Sequence, residues 1–482
     1  MADITDFDAS TLSRRIHARE ISCREVMQAF LARIAVLNPT FNAIVNLAPE
    51  GDLLAQADEC DRELAAGLSR GWLHGIPIAI KDLSDAADFP TTRGCELLAR
   101  NRPVRDSLMT ARMKAAGCIV IGKTTTPELG LGSHTFSTLF GATHNAWDVN
   151  VSAGGSSGGA AVCLAQRMLP VADGSDFMGS LRNPAGWNHV YGFRPTQGRV
   201  PQVYNTDVWI DMLSTEGPMA RSVEDLGRLL MTQAGHDARA PLSLQSSLVW
   251  QGGTDAEALK GLRVGWLGNV DGHLATEDGV LEVCEDALRH FAAAGAVVEE
   301  VPFGFDAGKV WDCWLAWRRA IAGPRVGALM HLPGAREKIK PEAQWEYECS
   351  QGMTFMDFRR ATETRTAFWR HMLGLFENWD VLVLPTAQVW PFDVTMRWPT
   401  RIEDRAMDTY HRWMEVTTYA TLCGLPALAV PAGFHANGRW PMGLQLIGRH
   451  SADAFLLRVA AAYEQARGDF ISQRPAAPST GR

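Results

Sequence analysis

Apolar residues at Val26, Met27, Phe30, Leu31, Ile34 and Leu37 recur at spacings of three and four, which puts them on one face of a helix. Asp8 and Ser10 stand ahead of them as cap candidates, so residues 8–37 carry the signals of an amphipathic helical segment. Further on the period changes. GIPIAI (75–80) and GCIVIG (117–122) are short, β-branched runs bounded by glycine, the composition of buried strands, and SLMTARMKAA between them reads as helix. Strand, helix and strand in succession predict an α/β architecture whose sheet is covered on both faces. The run AAVCLAQRML after GGSSGG predicts a buried helix opened by the glycine loop, and VLVLPT (381–386), ALAVPAG (427–433) and GLQLIG (443–448) predict strands late in the chain. Residues 233–261 are polar, RPAAPSTGR at the end reads as a loose tail, and no internal repeat is present.

Composition narrows the class. The 482 residues are 46% hydrophobic and 21% charged, which is ordinary for a globular protein. The net charge of −8 and the absence of a basic run leave a nucleic-acid backbone nothing to bind through. Nine cysteines are scattered singly with no CxxC pair, the usage of reduced thiols in a cytosol. The start, MADITDFDASTLSRR, lacks the positive flank and apolar stretch of a signal peptide, and no long apolar run follows, so the expected location is cytoplasmic with no membrane contact.

Two motif matches lead nowhere. Gly117, four residues, then Gly122, Lys123 and Thr124 match the phosphate-loop pattern. The four intervening residues, Cys118 to Ile121, are a strand sequence, and Pro127 stands where the helix of such a loop should run. The thirteen histidines include no HExxH and no ligand-spaced cluster, so neither a metal nor another cofactor is expected.

The chemistry concentrates in residues 154–185, where Ser156 and Ser180 are flanked by glycines. A serine hydroxyl becomes a nucleophile only when a base takes its proton, and glycines let a substrate carbonyl approach the backbone. Gly174, Gly179 and Pro184 break regular structure around Ser180, as a sharp turn presenting a nucleophile requires. His189 is the only histidine near this stretch. A base is available instead in Lys81, which follows the strand IPIAI. Burial there would disfavour its ammonium form, whereas the ordinary reading of a lysine at a strand end is a solvated charge.

Taken together, these residues resemble the amidase signature family. ARIAVLNPTFNAIV, HGIPIAIKDL, IVIGKTTTPELG, HNAWD, the serine block, EGPMARSVEDLG, GLPALAVPAG and GRWPMGLQLIG are similar to that family's blocks, stand in its order and span nearly the whole chain. The resemblance implies a single large mixed β-sheet covered by α-helices on both faces. It implies one domain over 1–475, made of an N-terminal helical segment (1–65), a core (66–235), a variable pocket region (236–410) and a return to the core (411–475), with a tail at 476–482. It also implies a Ser–cisSer–Lys triad: Ser180 as nucleophile, Ser156 as the bridging serine with a cis peptide, and Lys81 as neutral base. The backbone N–H groups of Phe177, Met178, Gly179 and Ser180 would form the oxyanion hole. Ser175, at a family threonine position, Ser157 and Arg182 would support the site. One departure stands out, because the family has two glycines before the nucleophile and this chain has Met178 then Gly179, preceded by Phe177. A methionine would be strained there if the position needs a positive φ.

Substrate class is read from the sixteen tryptophans. Trp311, Trp314 and Trp317 fall on one helical stripe, and Cys313 beside them is a further pocket candidate. A stripe of this kind is most often a core face, and the other reading is an aromatic wall for a hydrophobic substrate. Trp187 and Trp209 are further wall candidates. The expected partners are a small amide and water, with a homodimer as the candidate assembly, and the substrate expected is a hydrophobic or aromatic amide, lactam, anilide or carbamate. The alternative is the glutaminase component of a tRNA-dependent amidotransferase complex, which Phe177 and Met178 fit poorly.

Overall fold

The structure, a computed structural model, describes residues 3–253 and 255–476. The tail expected at 476–482 lies outside the described residues apart from Ala476. The N-terminal helical signal resolves into two helices, Ala9–His17 and Cys23–Phe41. They part at Arg19, which has φ of 57°. Asp8 caps the first by accepting from the Thr11 N–H. Ser10 is no cap: it lies inside that helix and donates to Asp225. Ser22 and Glu25 form a reciprocal capping box on the second helix.

Three strands, β1 (Ile44–Val45), β2 (Pro77–Lys81) and β3 (Ile119–Thr124), form a small ladder in the order β1-β3-β2, with β2 and β3 parallel. The large sheet follows, made of β4 (Val171–Asp176), β5 (Tyr191–Arg194), β6 (Thr215–Ala220), β7 (Arg263–Trp266), β8 (Val297–Glu300), β9 (Val381–Pro385), β10 (Ala427–Phe434) and β11 (Pro441–Ile447). Its order is β8-β7-β9-β11-β10-β5-β6-β4. β7 is parallel to both its neighbours and the other pairs are antiparallel, so the sheet is mixed.

β2 packs against the β4 edge without joining its ladder. The Lys81 N–H donates to both carboxylate oxygens of Asp173, at 3.1 and 3.2 Å, where a strand carbonyl would otherwise accept. A side chain has taken the backbone's partner, which ends the large sheet at β4 and fixes Lys81 against it. The helix Gly158–Ala165 lies wholly buried nearby. A Cβ on Gly159 would come within 2.5 Å of the Thr125 N, so only glycine lets this helix approach so closely.

Helices Ala307–Met330, Pro341–Gln351 and Phe355–Asn378 pack together, and Trp311, Trp314 and Trp317 of the first are all buried. The polar stretch 234–255 carries neither helix nor strand among the described residues. No described helix is long and apolar enough to cross a membrane. All nine cysteines are free thiols, and all but Cys349 are buried.

Candidate active site

Lys81 ends β2 fully buried. Its Nζ lies 2.9 Å from Ser156 Oγ, 2.8 Å from Ser157 Oγ, 3.0 Å from Ser175 Oγ and 3.2 Å from the Ser175 carbonyl. The shell holds hydroxyl and carbonyl oxygens and no carboxylate. Burial therefore dominates and brings its pKa down to about 7, against the opposing pull of Asp173, Asp176 and Glu216. Such a lysine is neutral in a large fraction of molecules near neutral pH.

The serine block that surrounds Nζ carries a cis peptide between Gly155 and Ser156. Ser133 Oγ donates to the Gly155 carbonyl at 2.8 Å, and the Ser157 N–H donates to the Ser180 carbonyl at 3.2 Å, which ties the block to the Ser180 loop. No hydrogen bond joins Ser156 Oγ to Ser180 Oγ among the described residues.

The loop before Ser180 is built around Asp176 at the end of β4. Its carboxylate accepts from the Gly179 N–H at 2.9 Å, from the Leu181 N–H at 3.1 Å and from Arg182 Nε and guanidinium at 3.0 and 2.9 Å. Burial opposes ionisation, yet Arg182 and Arg194 outweigh it and hold this carboxyl well below the usual carboxylate range. Arg182 reaches on to Gln445 at 2.6 Å and Thr421 at 3.0 Å, so the loop is braced against β11.

This arrangement divides the four N–H groups expected in the oxyanion hole. The Gly179 N–H is consumed by Asp176 and is not free for a substrate oxygen. The N–H groups of Phe177, Met178 and Ser180 have no hydrogen-bond partner among the described residues. Gly179 contributes conformation instead: its φ is 81°, and a Cβ would meet the Thr417 side chain at 2.5 Å. Met178 is absent from the positive-φ positions, so the replacement of a glycine there costs no backbone strain.

The wall candidates separate. Trp314 is fully buried and lies behind the loop, its ring 5.2 Å from that of the half-buried Phe177. Trp187 is fully buried, stacked on Trp413 at 5.7 Å, and belongs to the core. Trp311 packs on His411 at 5.4 Å, and the Cys313 thiol donates to the Ala361 carbonyl at 3.2 Å, so both sit behind the wall. Trp209 is 65% exposed and forms no part of it.

Sequence reading missed the polar group behind Phe177 and Met178. Arg318 is buried, donates to Glu346 at 2.5 Å and to the Tyr410 hydroxyl at 2.6 Å, and lies 5.5 Å from the Phe177 ring. Tyr410 in turn donates to Glu346 at 2.7 Å. The available signal was an arginine four residues after Trp314 on the same buried stripe, a charge that must find a partner. Tyr410 also lines a cleft with Gly132, Ser133, His134 and Trp413, and Ser133 of that lining donates to the Gly155 carbonyl.

A second cluster was not legible either. Cys60, Glu63 and His74 bring ligand-type atoms within 4.8 Å of one another. Their donors are already engaged: His74 bonds the Arg70 N–H and the Cys60 carbonyl, and Glu63 holds Arg70 in a two-pronged pair. The group therefore suits a metal poorly.

Known proteins share this geometry's framework. A family model described as amidase matches residues 25–457. An acylamidase of Rhodococcus erythropolis is 34% identical over 97% of both chains. A glutamyl-tRNA(Gln) amidotransferase chain of Mycobacterium tuberculosis is 32% identical over 98% of this chain and 100% of its own. Among solved structures, a bacterial aryl acylamidase of the amidase signature family superposes with a TM-score of 0.88 at 28% identity, covering 98% of this chain and 99% of its own.

Proposed function

The chain belongs to the amidase family of hydrolases acting on amides, and from that premise we propose that it cleaves a hydrophobic or aromatic amide through an acyl-enzyme on Ser180. Neutral Lys81 takes the proton of Ser156, Ser156 takes that of Ser180, and Ser180 Oγ attacks the carbonyl carbon. The developing oxyanion is received by the N–H groups of Phe177, Met178 and Ser180. Collapse returns a proton through Ser156 to the leaving amine, and water then hydrolyses the ester. The Ser156 to Ser180 contact closes as substrate fills the site, since catalytic hydrogen bonds commonly tighten in the Michaelis complex.

The observation that carries the reading is the fully buried Lys81 Nζ held by three serine side chains of the block facing Ser180. The aromatic preference is supported by Trp314 against Phe177 and by the 28% identical structural neighbour named an aryl acylamidase. Free thiols throughout suit a reducing cytoplasm. The test is intact-mass detection of an acyl adduct on quenching with an aryl amide such as p-nitroacetanilide. Wild type should carry the acyl group and Ser180→Ala should not, and an adduct persisting in Ser180→Ala would overturn the nucleophile.

The amidotransferase relatives favour a second reading, glutamine hydrolysis within a tRNA-dependent complex. It fits less well, because Arg318, the buried cation beside the loop, is already neutralised by Glu346 and is not free for a substrate carboxylate. Turnover of glutamine and not of anilides by the purified chain would reverse that preference.

A further inference from the structure

Two buried carboxyls lie beside Lys81 and do no work in the mechanism above. Asp173 on β4 and Glu216 on β6 stand on adjacent strands, Asp173 opposite Pro218 and Glu216 opposite Ser175. Asp173 is wholly buried and Glu216 nearly so. Asp173 accepts the Lys81 N–H with both oxygens, and Glu216 accepts from Ser84 Oγ at 2.8 Å.

The charges around Lys81 can be followed element by element. Beyond its own strand, Asp82 is held by the Thr92 hydroxyl, by the N–H groups of Thr92 and Gly94, and by Lys123 at 3.9 Å. On β3, Lys123 donates to the Ser84 carbonyl and to Thr91. At the end of β4, Asp176 is matched by Arg182 and Arg194. The serine block contributes only neutral hydroxyls. Among the described residues Asp173 and Glu216 have no cation in ion-pair contact, and Asp85, after the strand, adds a further negative charge facing Glu216 and Lys123.

Resting on the reading of Lys81 as the base, we infer that Asp173 and Glu216 set the pH at which Lys81 becomes one. Ionised, each favours the ammonium form of Lys81; protonated, each lets it go neutral. Burial pushes Asp173 up to about 6 and Glu216 to about 7, so both change charge over the range in which Lys81 does. The three groups then titrate as a cluster. These two residues act through Lys81 and are positioning residues.

The test is the pH profile of kcat/KM on p-nitroacetanilide for Asp173→Asn and Glu216→Gln, each of which keeps an acceptor oxygen and removes the charge. The acidic limb should move to lower pH, by about one unit for either variant, while the alkaline plateau stays within a few-fold of wild type. A limb that stays at its wild-type pH in both variants, with or without a lower plateau, overturns the inference, since a merely structural role lowers amplitude without moving the limb. Should Asp173→Asn fail to fold, Glu216→Gln carries the same outcomes alone. Lys81→Ala measured alongside separates the premise from the inference. Acyl-enzyme formation surviving in Lys81→Ala defeats the base assignment, whereas its loss together with an unmoved limb in the carboxyl variants defeats only the role given to Asp173 and Glu216.

Discussion

The Nζ of Lys81 lies 2.9 Å from the hydroxyl oxygen of Ser156, and among the described residues no carboxylate is within hydrogen-bonding reach of that nitrogen. A lysine placed so can accept a proton only from its neutral form. Burial depresses its pKa to about 7, so the active fraction grows as pH rises through that value and levels off above it. Below it, kcat/KM should fall about tenfold per pH unit. Lys81→Ala should lose roughly 10²- to 10⁴-fold in acylation rate while staying folded. Stopped-flow acylation across pH measures both, and a Lys81→Ala enzyme near the wild-type rate would remove the base assignment.

Asp176 and Arg182 make the second prediction. Removing the carboxylate by Asp176→Ala leaves the Gly179 and Leu181 N–H groups without their acceptor and the buried Arg182 guanidinium without its counter-ion. Breaking a buried pair from one side costs about 3 to 5 kcal/mol. Denaturant unfolding should show a loss of that size, and the surviving folded fraction should acylate poorly because the Ser180 loop has lost its anchor. Full stability in Asp176→Ala would show that the loop is held by something else.

Gly179→Ala tests the loop's backbone. Its φ of 81° and the 2.5 Å approach to Thr417 make any Cβ costly there. Strain of this kind is on the order of 1 to 3 kcal/mol. Acylation should drop by at least tenfold, whereas Met178→Gly, at a position with ordinary backbone angles, should keep the oxyanion contacts and change only which acyl groups are taken. Equal rates for Gly179→Ala and wild type would show that the loop conformation does not matter to the chemistry.

Local signals carried a good part of this molecule. The strands around GIPIAI, GCIVIG and VLVLPT form where β-branched, glycine-bounded runs predict them, because fully buried strands have little choice of composition. The helical signal over 8–37 did not reveal its own break at Arg19, since both halves present apolar faces. Lys81, Ser156, Ser157, Ser175 and Arg182 were legible as motif positions, and the structure gathers them. What the motif could not tell was how the amides are shared out: the Gly179 N–H goes to Asp176, a contact set by loop folding and not by spacing. Arg318, Glu346 and Tyr410 meet across separations of 28 to 92 residues, and no local pattern announces such a meeting. The five wall candidates carry the same lesson, because an aromatic stripe looks alike in sequence whether it faces core or cleft, and only Trp314 lies against the Ser180 loop.

Trp314 and Phe177 then decide the last prediction, which concerns specificity. Their rings meet at 5.2 Å, with Phe177 half-buried beside the three free amides and Trp314 fully buried behind it, so an acyl or anilide ring entering the site would pack against Phe177, which Trp314 holds in place. Removing a large part of a hydrophobic contact costs about 1 to 3 kcal/mol in transition-state binding, which is roughly 10- to 200-fold in kcat/KM. Trp314→Ala should therefore lose that much on aryl substrates and little on acetamide, whose acyl group is too small to reach the ring. Phe177→Ala should show the same selective loss, and the double variant should lose less than the sum of the two because the rings touch. The ratio of kcat/KM values for an anilide and for acetamide measures this directly. A uniform loss on both substrates would mean that the pair supports the loop and does not recognise the substrate.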